Sequence, residues 1–401
     1  MVDVTGPGDV HRPLVVRTEA GGSFTGTEIN VQKEATVYRA LGATAVPVPR
    51  VLGVAPGGTA ILMERVRGDA DLEPLPDESR QRVLEAFVDV VGDLHNIPAD
   101  HLDLPGFPRP STAEEHATLD LASWERLGRA VADLDPLVRY AGAFLRHHPP
   151  AGVSRTVLVQ GDTGPGNFLF DGDVVTALVD MEFAHLGDPM DDIAWILYRA
   201  PEAEGKLERL LARYTARTGI PIDERSVDYY RVAVQYRCAV TTSLAVARGG
   251  GARGWAPYLL TTERYHLGVA AALSSYVGVT ELSPDIPDPA PTSRTPLFDQ
   301  LLEGVRAAVR NLDDPALKES TRNLQILVHF LRSHDRAGRE LAQDDAADLA
   351  DLGLSRDDPA ALASAAEESG AVADEAVLRY LLRRSQRQAA LWRTLLERPR
   401  R

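Results

Sequence analysis

One cysteine, Cys238, stands in a chain of 401 residues. It leaves no partner for an internal disulfide and no ligand set for a cysteine-based zinc site. Long apolar runs are also missing. None approaches the roughly 18–20 residues that cross a bilayer, so no membrane segment is expected. The opening residues, MVDVTGPGDVHRP, lack the apolar core of a signal peptide. Positive charge is in deficit, with 43 Lys and Arg against 58 Asp and Glu and a net charge of −15. A surface that acidic excludes nonspecific nucleic-acid binding, which needs basic residues. The expectation is a cytoplasmic protein with neither nucleic acid nor membrane as partner. The acidity is compatible with a cationic ligand, and equally with simple solubility.

What is present describes a globular chain of two or three units, at about 100–200 residues per domain. Residues 14–66 read as a small β-rich lobe with one helix. Strands are expected at 14–17, 51–54 and 60–63, the last two flanking the turn Pro56-Gly57-Gly58. A flexible turn at 21–26 precedes a helix over 28–41, whose apolar residues Val31, Ala35, Tyr38 and Leu41 recur at helical spacing. Val46-Pro47-Val48-Pro49 ends it. Residues 80–95 carry an amphipathic helix through Val83, Leu84, Phe87, Val90, Val91 and Leu94. Further helices are expected over 112–148, 190–217 and 226–277.

A proline-rich stretch at 281–296 reads as an extended linker. Beyond it, 297–401 is helix-like, with apolar stripes through Leu301, Val305, Ala308, Val309 and Leu312, through Leu324, Leu327, Val328 and Leu331, and through Leu378, Leu381 and Leu382. The boundaries drawn from this are an N-lobe at 1–66, a C-lobe at 67–280, the linker, and a helical module at 297–401.

The most informative stretch is 157–195. An apolar run ends in Gly161-Asp162, Asn167 follows, and Asp180 closes a second apolar run at 174–179. Asp171-Gly172-Asp173 between them is a hairpin signal. Asp162 lies in a loop rich in Gly and Pro that lets a substrate approach. Its assigned role is to accept the proton of a substrate hydroxyl and orient it for in-line attack. Asn167 offers an amide oxygen to Mg²⁺ and can hydrogen-bond Asp162, while Asp180 offers a carboxylate to the same ion. Taken singly, each also reads as turn or cap chemistry. Together they make the minimum set for phosphoryl transfer from a nucleotide.

Around this core, Glu182 reads either as a contact to metal-bound water or, preferably, as a solvated turn residue. Asp188 reads as a helix cap, and Asp192 as a first-turn acid that suits the helix dipole. Arg17 on a strand and Glu34 on the next helix can pair, which aims the cation at nucleotide phosphates. The backbone of Met63-Glu64-Arg65-Val66 could face an adenine ring at an inter-lobe hinge, with Glu64 and Val66 as the nucleotide-binding positions.

These motifs resemble the aminoglycoside phosphotransferase and choline kinase-like superfamily over residues 14–275. The resemblance rests on Gly161-Asp162, Asn167, Asp180, Gly187-Asp188-Pro189 and Asp192-Ile193-Ala194, with Arg17, Glu34, Pro47-Val48-Pro49 and Met63-Glu64 in the N-lobe. One branch of that superfamily is fused to acyl-CoA dehydrogenases. The resemblance implies an α+β, two-lobed protein-kinase-like fold, followed here by an all-α C-terminal domain. It implies an ATP- or GTP-dependent kinase acting on a hydroxyl of a small molecule, with Asp162 as base and Asn167 and Asp180 as Mg²⁺ ligands. Residues 294–400 resemble a helical module of unassigned function, read as a docking or homodimerisation bundle.

Two departures bear on activity. The family usually has His where this chain has Gln160, so weaker positioning of the loop is expected. Only sixteen residues precede Arg17. The family normally places a strand, a glycine turn and a second strand there, so at least the first strand is expected to be missing. That leaves either a chain start placed too late or a shortened nucleotide-binding lobe.

Acceptors of two kinds fit the reading: a cationic aminoglycoside, or a hydroxy acid or hydroxyacyl thioester drawn by Arg231, Arg237, Arg248 and Arg253. A kinase-like binding module that has lost turnover is the alternative class. A protein kinase is disfavoured, because helices stand where an activation segment is expected.

Overall fold

The computed structural model describes residues 2–6, 10–18, 30–200, 206–249, 254–279 and 290–396. The expected turn at 21–26, most of the proline-rich stretch and Arg253 lie outside them. The chain divides into two compact units, residues 1–120 with 149–234, and residues 121–148 with 235–401.

The first unit opens with an antiparallel sheet of strands β1 (Val2–Gly6), β2 (Val10–Thr18), β3 (Val51–Val54) and β4 (Ala60–Glu64), in the order β1-β2-β4-β3. A single strand, β1, precedes the one that carries Arg17 among the described residues. Helix α1 (Val31–Leu41) follows β2. The Asn30 side chain caps it by accepting the Lys33 N–H at 2.9 Å. Its buried face holds Val31, Ala35, Tyr38 and Leu41, and also Glu34 at 1% exposure. A carboxylate that deep needs partners, and they decide the site.

The helical part of this unit starts with α2 (Asp77–His95), whose Phe87 stacks on Phe168 at 4.2 Å between ring centroids. Strands β5 (Val157–Val159) and β8 (His185–Gly187) pair with one another, as do β6 (Phe168–Asp171) and β7 (Val174–Leu178). The sequence signal had joined the Asp162 strand to the Asp180 strand by one hairpin. The structure instead places the Asp-Gly turn between β6 and β7, with Gly172 at φ +61°, and pairs the Asp162 strand with β8. Three-residue strands such as β5 and β8 give too short a pattern to announce a partner. Helices α5 (Pro189–Arg199) and α6 (Leu207–Thr218) complete the unit, α5 beginning at Asp188, whose Oδ1 accepts the Met190 N–H at 2.9 Å.

Helices α3 (Ala113–Arg129) and α7 (Glu224–Ala247) each contribute residues to both units. The second unit otherwise consists of α4 (Pro136–His147), α8 (Trp255–Val277), α9 (Thr295–Arg310), α10 (Pro315–Asp351), α11 (Pro359–Val372), α12 (Glu375–Ala390) and α13 (Arg393–Leu396). These boundaries cut across the expected ones, because α4 and α8 share a core with the helices after the proline-rich stretch. Arg384 reaches Asp135 at 2.5 Å, and Arg139 reaches Glu367 at 2.9 Å. Burial alone would raise the Asp135 carboxyl, but the Arg384 guanidinium more than reverses this and holds it at about 2. No residue of the expected stripe on α9 is fully buried: Leu301 and Ala308 are exposed and Val305, Val309 and Leu312 are half-buried, while the buried leucine of the helix is Leu302, outside the stripe.

Helix α11 approaches α4 through Gly370, where an added Cβ would sit 2.4 Å from the Tyr140 carbonyl oxygen. Gly304 on α9 faces open space. Gly370→Ala is therefore expected to lose about 1–3 kcal/mol by overpacking. Gly304→Ala is expected to gain about 0.5–1 kcal/mol from helix propensity. Urea unfolding of the two variants beside the parent checks the opposite signs.

Candidate active site

The segment after β5 is suspended from Asp192, a fully buried acid in the first turn of α5. Its carboxylate accepts the backbone N–H of Gln160 at 2.8 Å and of Gly161 at 3.0 Å, and the hydroxyl of Thr163. His95 Nε2 lies 3.0 Å from the same carboxylate, and its Nδ1 lies 2.7 Å from the Tyr214 hydroxyl. The sequence placed Asp192 in the first helical turn but missed this second role. Its partners lie about thirty residues back or further, beyond any local pattern. Gly161, at φ +84°, turns the chain where a Cβ would come 2.5 Å from the Phe183 carbonyl oxygen.

Asp162 emerges from that turn and is held on both oxygens. Asn167 Nδ2 donates to Asp162 Oδ2 and to its backbone carbonyl, each at 2.7 Å. Arg199 Nη1 meets Asp162 Oδ1 at 2.5 Å. The arginine stem crosses over Gly164, where a Cβ would stand 2.6 Å from Arg199 Cβ. Burial pushes the Asp162 carboxyl up, and Arg199 and Asn167 oppose that rise. Arg199 was not foreseen, since a lone arginine at a helix end looks like dipole compensation.

Gln160, expected to weaken this loop, braces it. Its buried Nε2 donates to the carbonyls of Asn167 at 3.1 Å and Val179 at 2.9 Å. The Val179 N–H returns a bond to the Asn167 carbonyl at 3.0 Å. Asn167 and the residue before Asp180 are thus tied through one side chain.

Asp180 has φ +60°, a left-handed conformation that few non-glycine residues adopt. Arg17 on β2 binds three carboxylates: Nε to Glu34 at 2.6 Å, and Nη2 to Asp180 at 2.9 Å and Glu182 at 2.7 Å. Glu182, read as a solvated turn residue, is therefore part of the cluster. Burial first, then the charge of Asp180, pushes its carboxyl up to about 7. One guanidinium serves three carboxylates, and the raised Glu182 carboxyl reflects that shortage of positive charge, which a divalent cation would relieve.

No cage of three His, Cys, Asp or Glu side chains stands among the described residues. Mg²⁺ does not require such a cage, since it keeps waters and phosphate oxygens as ligands beside one or two protein oxygens. Asn167 Oδ1 and the second oxygen of Asp180 accept no hydrogen bond among the described residues, so both remain available. Arg17 Nη1 is likewise unengaged there. Glu64 and Val66 lie at and just past the end of β4, where the Glu64 N–H bonds the Arg50 carbonyl at 3.0 Å. No hydrogen bond joins either residue to the carboxylate cluster among the described residues.

A family model described as the phosphotransferase enzyme family matches residues 5–230. The chain belongs to that family. The kinase-like α+β fold is the one expected for its first unit on that membership. Mouse acyl-CoA dehydrogenase family member 10 is 26% identical over 235 residues, which cover 55% of this chain and 21% of that protein. The aminoglycoside 3'-phosphotransferase of Streptomyces fradiae is 27% identical over 209 residues, 48% of this chain and 74% of that enzyme. The chain thus spans about a fifth of the mouse protein it matches. Among solved structures, a candidate aminoglycoside phosphotransferase from Ralstonia eutropha superposes with a TM-score of 0.53 at 19% identity, covering 69% of this chain and 96% of its own. That likeness supports the fold. No helix of the described residues is long and apolar enough to cross a membrane.

Asp192→Asn is expected to lower stability by about 2 kcal/mol, because charge-assisted bonds to the buried loop weaken. Chemical denaturation checks this, and unchanged stability would show that the loop does not hang from Asp192.

Proposed function

We propose that the chain transfers the γ-phosphoryl group of a nucleoside triphosphate, ATP or GTP, to a hydroxyl of a small molecule. The observation that carries this reading is the linkage of Asp162, Asn167 and Asp180 by Gln160 and the loop hydrogen bonds, beside Arg17.

In this reading Asp162 accepts the hydroxyl proton as the acceptor oxygen attacks phosphorus in line, while the bond from phosphorus to the bridging oxygen of the nucleoside diphosphate breaks. Asn167 fixes the Asp162 carboxylate through Nδ2 and turns its Oδ1 toward the cation. Asp180 supplies the second oxygen. Mg²⁺, when bound, neutralises charge on the phosphate oxygens. Arg17 turns its unengaged Nη1 to the phosphates, while Glu34 holds its Nε. Glu64 and Val66 offer backbone groups at the lobe connection to a nucleobase.

One observation favours an acceptor bearing an anionic group over a polycationic one. Arg199 pairs with Asp162 through Nη1, and its remaining N–H donors fit a carboxylate or phosphate on the acceptor. The four arginines first considered for this carry less weight. Arg237 is buried, Arg231 faces Asp228 at 3.6 Å, Arg248 is exposed just past the end of α7, and Arg253 lies outside the described residues.

Asp162→Asn is expected to lower kcat about 10²–10⁴-fold, the usual range for a general base, with nucleotide affinity nearly unchanged. Asp180→Ala is expected to abolish the Mg²⁺-dependent thermal shift that a bound nucleotide produces in the parent. Full activity in both variants would refute the role assignment. A nucleotide-consumption screen over hydroxy acids, hydroxyacyl thioesters, amino alcohols and aminoglycosides tests the acceptor class. Turnover confined to aminoglycosides would overturn the anionic reading.

A further inference from the structure

Asp180 is held from two directions, and only one of them is the ion pair with Arg17. Its backbone N–H donates to the Tyr38 hydroxyl at 3.0 Å. That hydroxyl donates to Glu34 Oε1 at 2.8 Å. The other oxygen of Glu34 accepts from Arg17 Nε at 2.6 Å, and Arg17 Nη2 donates to Asp180 Oδ1 at 2.9 Å. The four residues close a ring that begins on the Asp180 backbone and ends on the Asp180 carboxylate.

The directions are consistent around the ring. Tyr38 has one proton, gives it to Glu34, and so turns a lone pair to Asp180. Its phenol stays protonated at neutral pH, since burial and then the Glu34 charge push it well above the usual range. Tyr38 itself is 2% exposed. The backbone it grips is the left-handed one at φ +60°. Glu34 and Tyr38 are four residues apart on α1, hence on one face, and act there as a single clamp.

We infer that Tyr38 is a positioning residue, whose hydroxyl holds the Asp180 backbone in its left-handed turn and thereby aims the carboxylate at the cation that accompanies the nucleotide. This rests on the reading of Asp180 as a cation ligand. Arg17 alone cannot do the aiming, because it is shared with Glu182 and Glu34 and fixes one oxygen but not the turn. Helix α1 thereby contributes to the cation site through a hydroxyl that never touches the ion.

The test uses the full chain and Tyr38→Phe, which keeps the ring and removes one oxygen. Binding of a non-hydrolysable triphosphate analogue is followed calorimetrically while Mg²⁺ is titrated, and thermal unfolding is measured without ligand. The expected result is about a tenfold rise in the Mg²⁺ concentration needed for half-maximal binding, matching one lost hydrogen bond to a strongly held group. Saturating Mg²⁺ should restore the bound fraction, and the acceptor KM should stay as in the parent. Tyr38→His, which returns a hydrogen-bonding group, should recover part of the Mg²⁺ response.

A lower unfolding temperature with an unchanged Mg²⁺ titration would overturn the inference and leave Tyr38 as core packing. Asp180→Ala separates this failure from that of the underlying reading. If it too leaves the titration unchanged, Asp180 is not a cation ligand at all. Should Tyr38→Phe not fold, hydrogen exchange of the parent decides. The Asp180 amide must exchange slowly without ligand, and rapid exchange there refutes the bond.

Discussion

The guanidinium of Arg17 is the constraint on which the first unit's chemistry depends. It sits among Glu34, Asp180 and Glu182, and without it three carboxylates would face one another in a poorly solvated space. Burial already raises Glu34 and Glu182. One cation is enough to assemble the cluster and too little to neutralise it. On the proposed function, that imbalance is what the metal ion of a metal–nucleotide complex would relieve. The same economy appears at Asp162, where Arg199 and Asn167 each take one oxygen and still leave carboxylate lone pairs unused.

Rigidity reaches this cluster by routes that avoid it. Asp192 gathers two backbone N–H groups and a hydroxyl, so the loop carrying Asp162 is fixed from behind. Gln160 bridges two carbonyls and locks the Asn167 segment to the one that ends in Asp180. An amide can do this with two donors on one nitrogen. Replacing the family's usual imidazole there therefore keeps a brace of different chemistry. Functional groups that must hold a charged ligand are better placed by such neighbours than by their own backbone.

The second unit is stabilised differently. Its helices meet through close approaches such as Gly370 on the Tyr140 backbone, and through largely enclosed ion pairs such as Arg384 with Asp135. Removing one partner of such a pair strands the other, so these contacts specify which helices meet more than they add net stability. Leu297, Leu301, Leu324 and Leu331 on α9 and α10 remain half exposed or more, which explains why periodicity alone overstated the coverage of these helices.

The sequence by itself determined what local rules can carry. The apolar period of α1 and α2, the Asp188-Pro189 start of α5 and the Asp-Gly turn were all legible, because each depends on neighbours within a few residues. The pairing of Arg17 with Glu34, 17 positions apart, was legible through strand–helix order. Only the tertiary structure decided that Arg17 also takes Asp180 and Glu182, at separations of 163 and 165 positions, and that Asp192 carries the loop. It also decided that β5 pairs with β8 and that α4 shares a core with the last helices. Charge and hydrogen-bond partners act through space at a few ångströms. A chain that folds back on itself makes such neighbours from residues whose spacing along the sequence bears no mark of it.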